Sequence, residues 1–190
     1  MGISTGAGVV IAQFFGAGNT CKMKRAIHNS IALTLVMGVV LTIVGLLFND
    51  PILKAIGVPS EVFSEASTYL SIYFWSLIFV MVYNMGSGIL RSVGDSKRPL
   101  YFLIFSSVVN IILDFLFVKY FHFGVAGAGY ATLIAQAISA IMVMYVLMKT
   151  EDDYKVVLKE IGFDRRNFIK NYKNWFTYRF STKYCFFIKC

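Results

Sequence analysis

Asp114 is the one carboxylate set well inside a long apolar run of this sequence, and its neighbours are spaced to serve it. Asn110 precedes it by four residues and Ser106 by eight, so on a helix all three share one face. A charged side chain at the centre of a membrane-spanning helix costs about 2.5–3.5 kcal/mol on insertion scales, so it normally faces a bundle interior or a water-filled cavity. Two other apolar runs carry polar stripes with the same helical repeat: Tyr73, Ser76, Asn84 and Ser87 on one, and Thr132, Gln136 and Ser139 on the other. A single stripe can be hydrogen-bonding glue between helices. Three stripes converging on one carboxylate suit a lined cavity, which points to transport.

Other chemistries find no support in the residues. Cys21, Cys185 and Cys190 have neither a disulfide framework nor metal-ligand spacing, and His28 and His122 stand alone. No nucleophile and base pair, metal cluster or phosphate loop is visible, so the chain does not read as an enzyme and implies no cofactor. The net charge of +8 could suggest nucleic acid. However, the basic residues cluster in short loops and a tail, where the positive-inside rule alone would put them. No nucleic-acid partner is expected.

The elements that must carry the stripes follow from hydropathy. The sequence is 57% hydrophobic and 15% charged, against roughly 25% charged for a soluble domain. About 20 mostly apolar residues cross the hydrocarbon core. Spans are expected at about 27–48, 66–90, 99–121 and 124–148, with a shorter apolar helix at about 1–17. Breaks fall at Gly18 and Asn19, at Asn49, Asp50 and Pro51, at Gly94 and Asp95, and from His122 to Gly124. The expected fold is therefore an all-α integral membrane protein of about five transmembrane helices, multi-pass in the cell inner (plasma) membrane.

Orientation comes from the bases. The first loop holds Lys22, Lys24 and Arg25 and the third holds Arg91, Lys97 and Arg98, whereas the second holds only Lys54 beside three acids and the fourth only Lys119. Loops one, three and five are then cytoplasmic and the first span starts outside, which is most economically explained by one helix upstream. There is no basic segment before the first apolar run, so it does not read as a cleavable signal. Gly2, Gly6, Gly8, Gly38, Gly45, Gly127 and Gly129 read as sites of close helix packing.

Four stretches then resemble a known family. Gly2-Ile-Ser-Thr-Gly-Ala-Gly-Val-Val-Ile-Ala-Gln-Phe-Phe-Gly-Ala, Tyr83-Asn-Met-Gly-Ser-Gly-Ile-Leu-Arg-Ser-Val-Gly-Asp-Ser-Lys-Arg-Pro, Asn110-Ile-Ile-Leu-Asp114 and Gly124-Val-Ala-Gly-Ala are similar, in order and spacing, to the first lobe of bacterial multidrug exporters of the MATE type. The resemblance runs from Gly2 to about Lys173. It implies that the spans correspond to helices two to six of a twelve-helix transporter with two lobes, and that residues 149–173 connect the lobes on the cytoplasmic side. It further implies export of cationic amphipathic small molecules in exchange for protons or sodium ions, by alternating access. In the branch with a first-lobe cation site, Asn110, Asp114 and Thr132 match ligand positions and Asn84 matches an Asn of the same cluster. The remaining ligand, an Asp on helix one, has no counterpart here. Tyr73, Ser76, Ser87 and Gln136 are expected to line the substrate cavity. Competing expectations are a membrane remnant that inserts but pumps nothing, and a related lipid-linked saccharide flippase, which the Tyr83 motif disfavours.

From about Asn174 the resemblance stops where the family would continue with Gly-Leu-Pro-x-Gly. Residues 174–190 are instead rich in aromatics and lysine. With permitted codons, reading this stretch one nucleotide later yields Ile-Gly-Leu-Pro-Ile-Gly, so the tail is expected to be frame-shifted and the second lobe cut off. A basic tail lying on anionic headgroups is the alternative.

Two outcomes follow. A single cysteine at Gly18 or Lys97 should be shielded from an impermeant thiol reagent outside intact cells and one at Ser60 should react; labelling at Lys97 would invert the orientation. Resequencing the DNA across residues 173–179 should reveal a one-nucleotide change that opens a second-lobe reading frame, and no such frame downstream would mean that the tail is genuine.

Overall fold

The computed structural model describes residues 2–150 and 152–156. The connector is thus described only at its start, and the tail at 174–190 lies outside the described residues. The expected helices are present: α1 (Gly2–Gly16), α2 (Thr20–Leu47), α4 (Phe63–Ser92), α5 (Lys97–Phe115) and α6 (Gly124–Lys149). Four of them, counting α5 with the turn that follows it, are long and apolar enough to cross a membrane, and α1 is a shorter apolar helix. Two features differ from expectation. The break at Asn49, Asp50 and Pro51 is a short helix, α3 (Asn49–Ile56), because proline is tolerated in a first turn whose amides lack partners anyway. In addition, α2 begins at Thr20, well before the apolar run, with Asn19 Oδ1 accepting from the Lys22 amide at 3.2 Å; the helix carries its basic residues beyond the hydrocarbon.

The loops at each end fall as the charge count requires. Gly18 and Gly94 lie at one end with left-handed φ of 65° and 92°. Each closes its helix in the same way: the Gly18 and Asn19 amides donate to the Phe15 and Phe14 carbonyls, and the Gly94 and Asp95 amides to those of Arg91 and Leu90. Lys24 at this end pairs with Asp153 at 3.9 Å, beyond α6. The basic loops and the start of the connector thus share one face, with α3 and the α5–α6 turn at the other.

Helix α4 is the hub. It packs most extensively on α6, then on α2 and α1, and hardly touches α5, which rests on α6. With no hydrophobic force to separate helix from lipid, these approaches depend on small residues. A Cβ on Gly86 would lie 2.9 Å from both methyls of Val143, and one on Gly129 would lie 3.2–3.3 Å from Ile72. Both contacts carry the same offset of residue numbers, so α4 and α6 run parallel and in register. The buried apolar core gathers at the basic end, where Ile11, Met23, Ile27, Ile89, Leu90, Val143 and Leu147 meet. Tyr154 and Val156 fold back to cap it, held by the Val156 amide donating to the Leu147 carbonyl at 2.9 Å. In that cap, hydrogen bonds from Thr150 and Tyr154 hold the exposed Asp152 carboxyl below its ordinary value.

Gly86→Leu should therefore separate α4 from α6. We expect a loss of about 1–3 kcal/mol, the usual range for overpacking, read as a lower unfolding midpoint in detergent. Gly2→Leu, where a Cβ meets nothing within 4 Å, should be neutral, and Val143→Ala should partly rescue Gly86→Leu.

Candidate functional site: a polar cleft between three helices

The polar stripes are brought to one side of the bundle. On α6, Gly129 faces α4 and Gly127 faces Phe117 beyond α5, 3.1 Å from a Cβ placed on the glycine. At 100° per residue, Thr132, Gln136 and Ser139 fall within one sector between these two contacts. That flank of α6 is half-buried to buried, whereas the opposite one exposes Tyr130 and Ile141. On α4, Tyr73, Ser76, Asn84 and Ser87 share a sector between the α6 contact and the α1 contact, where Gly88 meets Ser4. Because α5 leans on α6 and scarcely touches α4, a cleft opens between α4 and α5 with α6 as its back wall. Its inner end is tied by Tyr83, whose hydroxyl donates to the Pro99 carbonyl at 2.8 Å.

Most of these polar groups are satisfied inside their own helices. Thr132 Oγ1 donates to the Ala128 carbonyl at 3.0 Å, Asn84 Nδ2 to Val80 at 2.7 Å, Ser76 Oγ to Tyr73 at 2.7 Å, Ser139 Oγ to Gln136 at 2.9 Å and Ser106 Oγ to Leu103 at 3.1 Å. The exceptions matter more. Asn110 Nδ2, Asp114 Oδ1 and Ser87 Oγ are buried with no hydrogen-bond partner. A buried polar atom left unpaired costs about 1–3 kcal/mol, more when charged. Asn110 and Asp114 lie on the half-buried face of α5. Immediately after them the helix widens into a π-turn, Leu116–Tyr120, a form that recurs at functional sites.

Register separates the four candidate cation residues. Measured inward from the Phe117–Gly127 contact, Thr132 lies roughly 7 Å along the axis, between Asp114 and Asn110 at roughly 4 and 10 Å. Asn84 is level with position 141 of α6, nine residues past Thr132 and roughly 13 Å deeper. None of the four is hydrogen-bonded to another. Asn110, Asp114 and Thr132 therefore share a depth in the cleft, while Asn84 lies deeper along the same cleft. Tyr73 is 42% exposed at the outer part, and Ser76 and Ser87 are buried deeper in α4. Among the described residues no group of three His, Cys, Asp or Glu could hold a metal ion.

The Tyr83 to Pro99 motif turns out to build the fold. Tyr83 ties α4 to α5, Gly86 and Gly88 admit α6 and α1, Gly94 turns the chain, and Asp95 caps α5 by accepting from the Arg98 amide at 3.2 Å and pairing with its guanidinium at 3.2 Å. Sequence reasoning missed a second polar cluster at the acidic end. Buried Asn49 shares the two hydrogens of Nδ2 among three acceptors, the Ser67 carbonyl at 3.0 Å and the Ser67 and Ser71 hydroxyls at 2.9 Å each. Its only sequence signal was an Asn-Asp-Pro run that reads as a turn.

Comparison with known proteins agrees with this architecture. The model of the MatE family matches residues 1–116. A protein of Bacillus subtilis (strain 168) named "Probable multidrug resistance protein YoeA" is 35% identical over 153 residues, which is 78% of this chain and 33% of that protein. An inward-facing multidrug resistance MATE family transporter of the MOP superfamily superposes with a TM-score of 0.82 at 29% identity, over 90% of this chain and 39% of that one. An outward-facing structure gives 0.80 at the same identity, over 90% and 38%. The chain spans about a third of the length of the relatives it matches. On its sequence match and its helical architecture together, this chain belongs to the MatE family of multidrug efflux transporters and covers about its first lobe.

Proposed function

We propose that this chain supplies the first-lobe cation site of a multidrug antiporter that exchanges protons or sodium ions for cationic amphipathic molecules. The observation that carries the reading is the pair of unpartnered buried atoms, Asn110 Nδ2 and Asp114 Oδ1, one helical turn apart at the depth of Thr132. A carboxylate in a low-dielectric cleft holds a charge that something must balance. A proton and a sodium ion can each do so, and so can a cationic substrate in the same cavity, but not all at once. That competition is the physical core of antiport. Thr132 Oγ1 spends its proton on Ala128, which leaves its lone pairs free for a cation. Likeness to both the inward- and the outward-facing structure, at 0.82 and 0.80, supports a lobe that moves as one body.

The span of about a third of the relatives' length favours a second reading, in which the chain inserts but pumps nothing without a further lobe. Polar groups facing lipid are costly. Drug accumulation in a pump-deficient host with and without the chain separates the two.

In a complete transporter carrying this lobe, Asp114→Asn keeps the size and removes the exchangeable charge. Export should collapse to the level of the empty host while expression and membrane insertion persist. Asp95→Asn, at a cap outside the cleft, should leave the coupling unchanged. Export by Asp114→Asn with unaltered pH and sodium dependence would refute the first-lobe site.

A further inference from the structure

A cavity of about 520 Å³ opens on the other flank of the α4–α6 pair, toward the acidic end. Trp75, on its wall, is nine residues from Asn84, which at 100° per residue points it in the opposite direction. Tyr130, on the facing wall, lies about 160° around α6 from Thr132. The cavity is therefore separate from the polar cleft.

Its polar groups are sorted by hydrogen bonding. Ser71 Oγ accepts from Asn49 Nδ2 at 2.9 Å, so its own proton stays available. Trp75 and Tyr130, 58% and 47% exposed, add an indole N–H and a phenol O–H. Ser67 Oγ instead donates to the Asp50 carboxylate at 3.1 Å, and Thr68 Oγ1 donates to the Ser64 carbonyl at 2.9 Å, which leaves oxygen lone pairs on this side. Asn49, at 5% exposure, braces both serines while its Oδ1 has no partner. The lining thus offers three donors for an anion and oxygen lone pairs for a cation, with the Asp50 carboxylate one hydrogen bond behind Ser67. Ile72 and Leu133 supply apolar wall, and beyond Tyr130 the same flank of α6 continues as exposed Ile141.

We propose that this cavity is a site for the headgroup of a zwitterionic phospholipid of the outer leaflet. Its phosphate accepts hydrogen bonds from Ser71, Trp75 and Tyr130, and its ammonium faces Asp50 and the aromatic rings. The acyl chains run along the exposed apolar flank, as only a tailed molecule with both charges can use all three features. The volume is within the range of pockets that hold small ligands.

Native mass spectrometry of the full chain in detergent micelles tests this, with three probes titrated separately. These are phosphatidylethanolamine, phosphatidylglycerol, which lacks the ammonium, and dodecyltrimethylammonium, which lacks the phosphate. Phosphatidylethanolamine should bind about tenfold more tightly than either, and Ser71→Ala with Trp75→Leu should erase that preference. Tyr130→Phe removes one exposed hydroxyl without disturbing packing and should weaken phosphatidylethanolamine alone by severalfold. Asp114→Asn should leave lipid binding intact, so failure of the cation site and failure of this one are read separately. Equal binding of the two phospholipids would overturn the proposal. So would dodecyltrimethylammonium binding as tightly as phosphatidylethanolamine, which would mark a cation subsite, or Tyr130→Phe binding as the parent does.

Discussion

A hydroxyl or amide inside a bilayer must find a partner within the protein, because lipid tails offer none, and in this chain most find it one turn back along their own helix. Ser76, Ser92, Ser106, Thr132 and Ser139 all donate to a carbonyl three or four residues earlier. That local economy frees the helices from needing one another's polar groups. Cross-helix bonds among the described residues include Thr42 to the Phe74 carbonyl, Asn49 to Ser67 and Ser71, Ser67 to the Asp50 carboxylate, and Tyr83 to the Pro99 carbonyl. Against this background Asn49 Oδ1, Ser87 Oγ, Asn110 Nδ2 and Asp114 Oδ1 are the buried side-chain atoms left without a partner among the described residues.

With polar bonds spent locally, the lobe is held by shape. The apolar core lies at the basic end, where α1, α2, α4 and α6 converge and the segment after α6 closes over them. Toward the acidic end α5 rests on α6 alone, and both the polar cleft and the flanking cavity open there. The lobe thus has a well-packed half at the basic end and an open half at the acidic end, and it superposes on an inward- and an outward-facing relative about equally well, with TM-scores of 0.82 and 0.80.

The residues that made the sequence recognisable and those that would do chemistry are largely different. The stretch from Tyr83 to Pro99 was the most specific motif, and the structure uses it to tie, turn and cap the α4–α5 hairpin. Such residues are constrained by backbone geometry, which tolerates little substitution: a φ of 92° at Gly94, and a gap at Gly86 too narrow for a methyl group. Asp114 was legible for a different reason, because a carboxylate in an apolar run is expensive wherever it points.

The sequence alone determined the membrane class, the helices and the membership of each polar stripe, since all of these depend on local composition and on a period of 3.6 residues. Only the tertiary structure decided that α4 and α5 stand apart and that Asn110, Asp114 and Thr132 share a depth while Asn84 lies a further nine residues inward. It likewise decided that Trp75 and Tyr130 face each other on the opposite flank. Depth and adjacency between helices are set by where small residues let two backbones meet, at Gly86 with Val143, Gly129 with Ile72 and Gly127 with Phe117. A glycine in a sequence shows that a close approach is possible but does not name the partner.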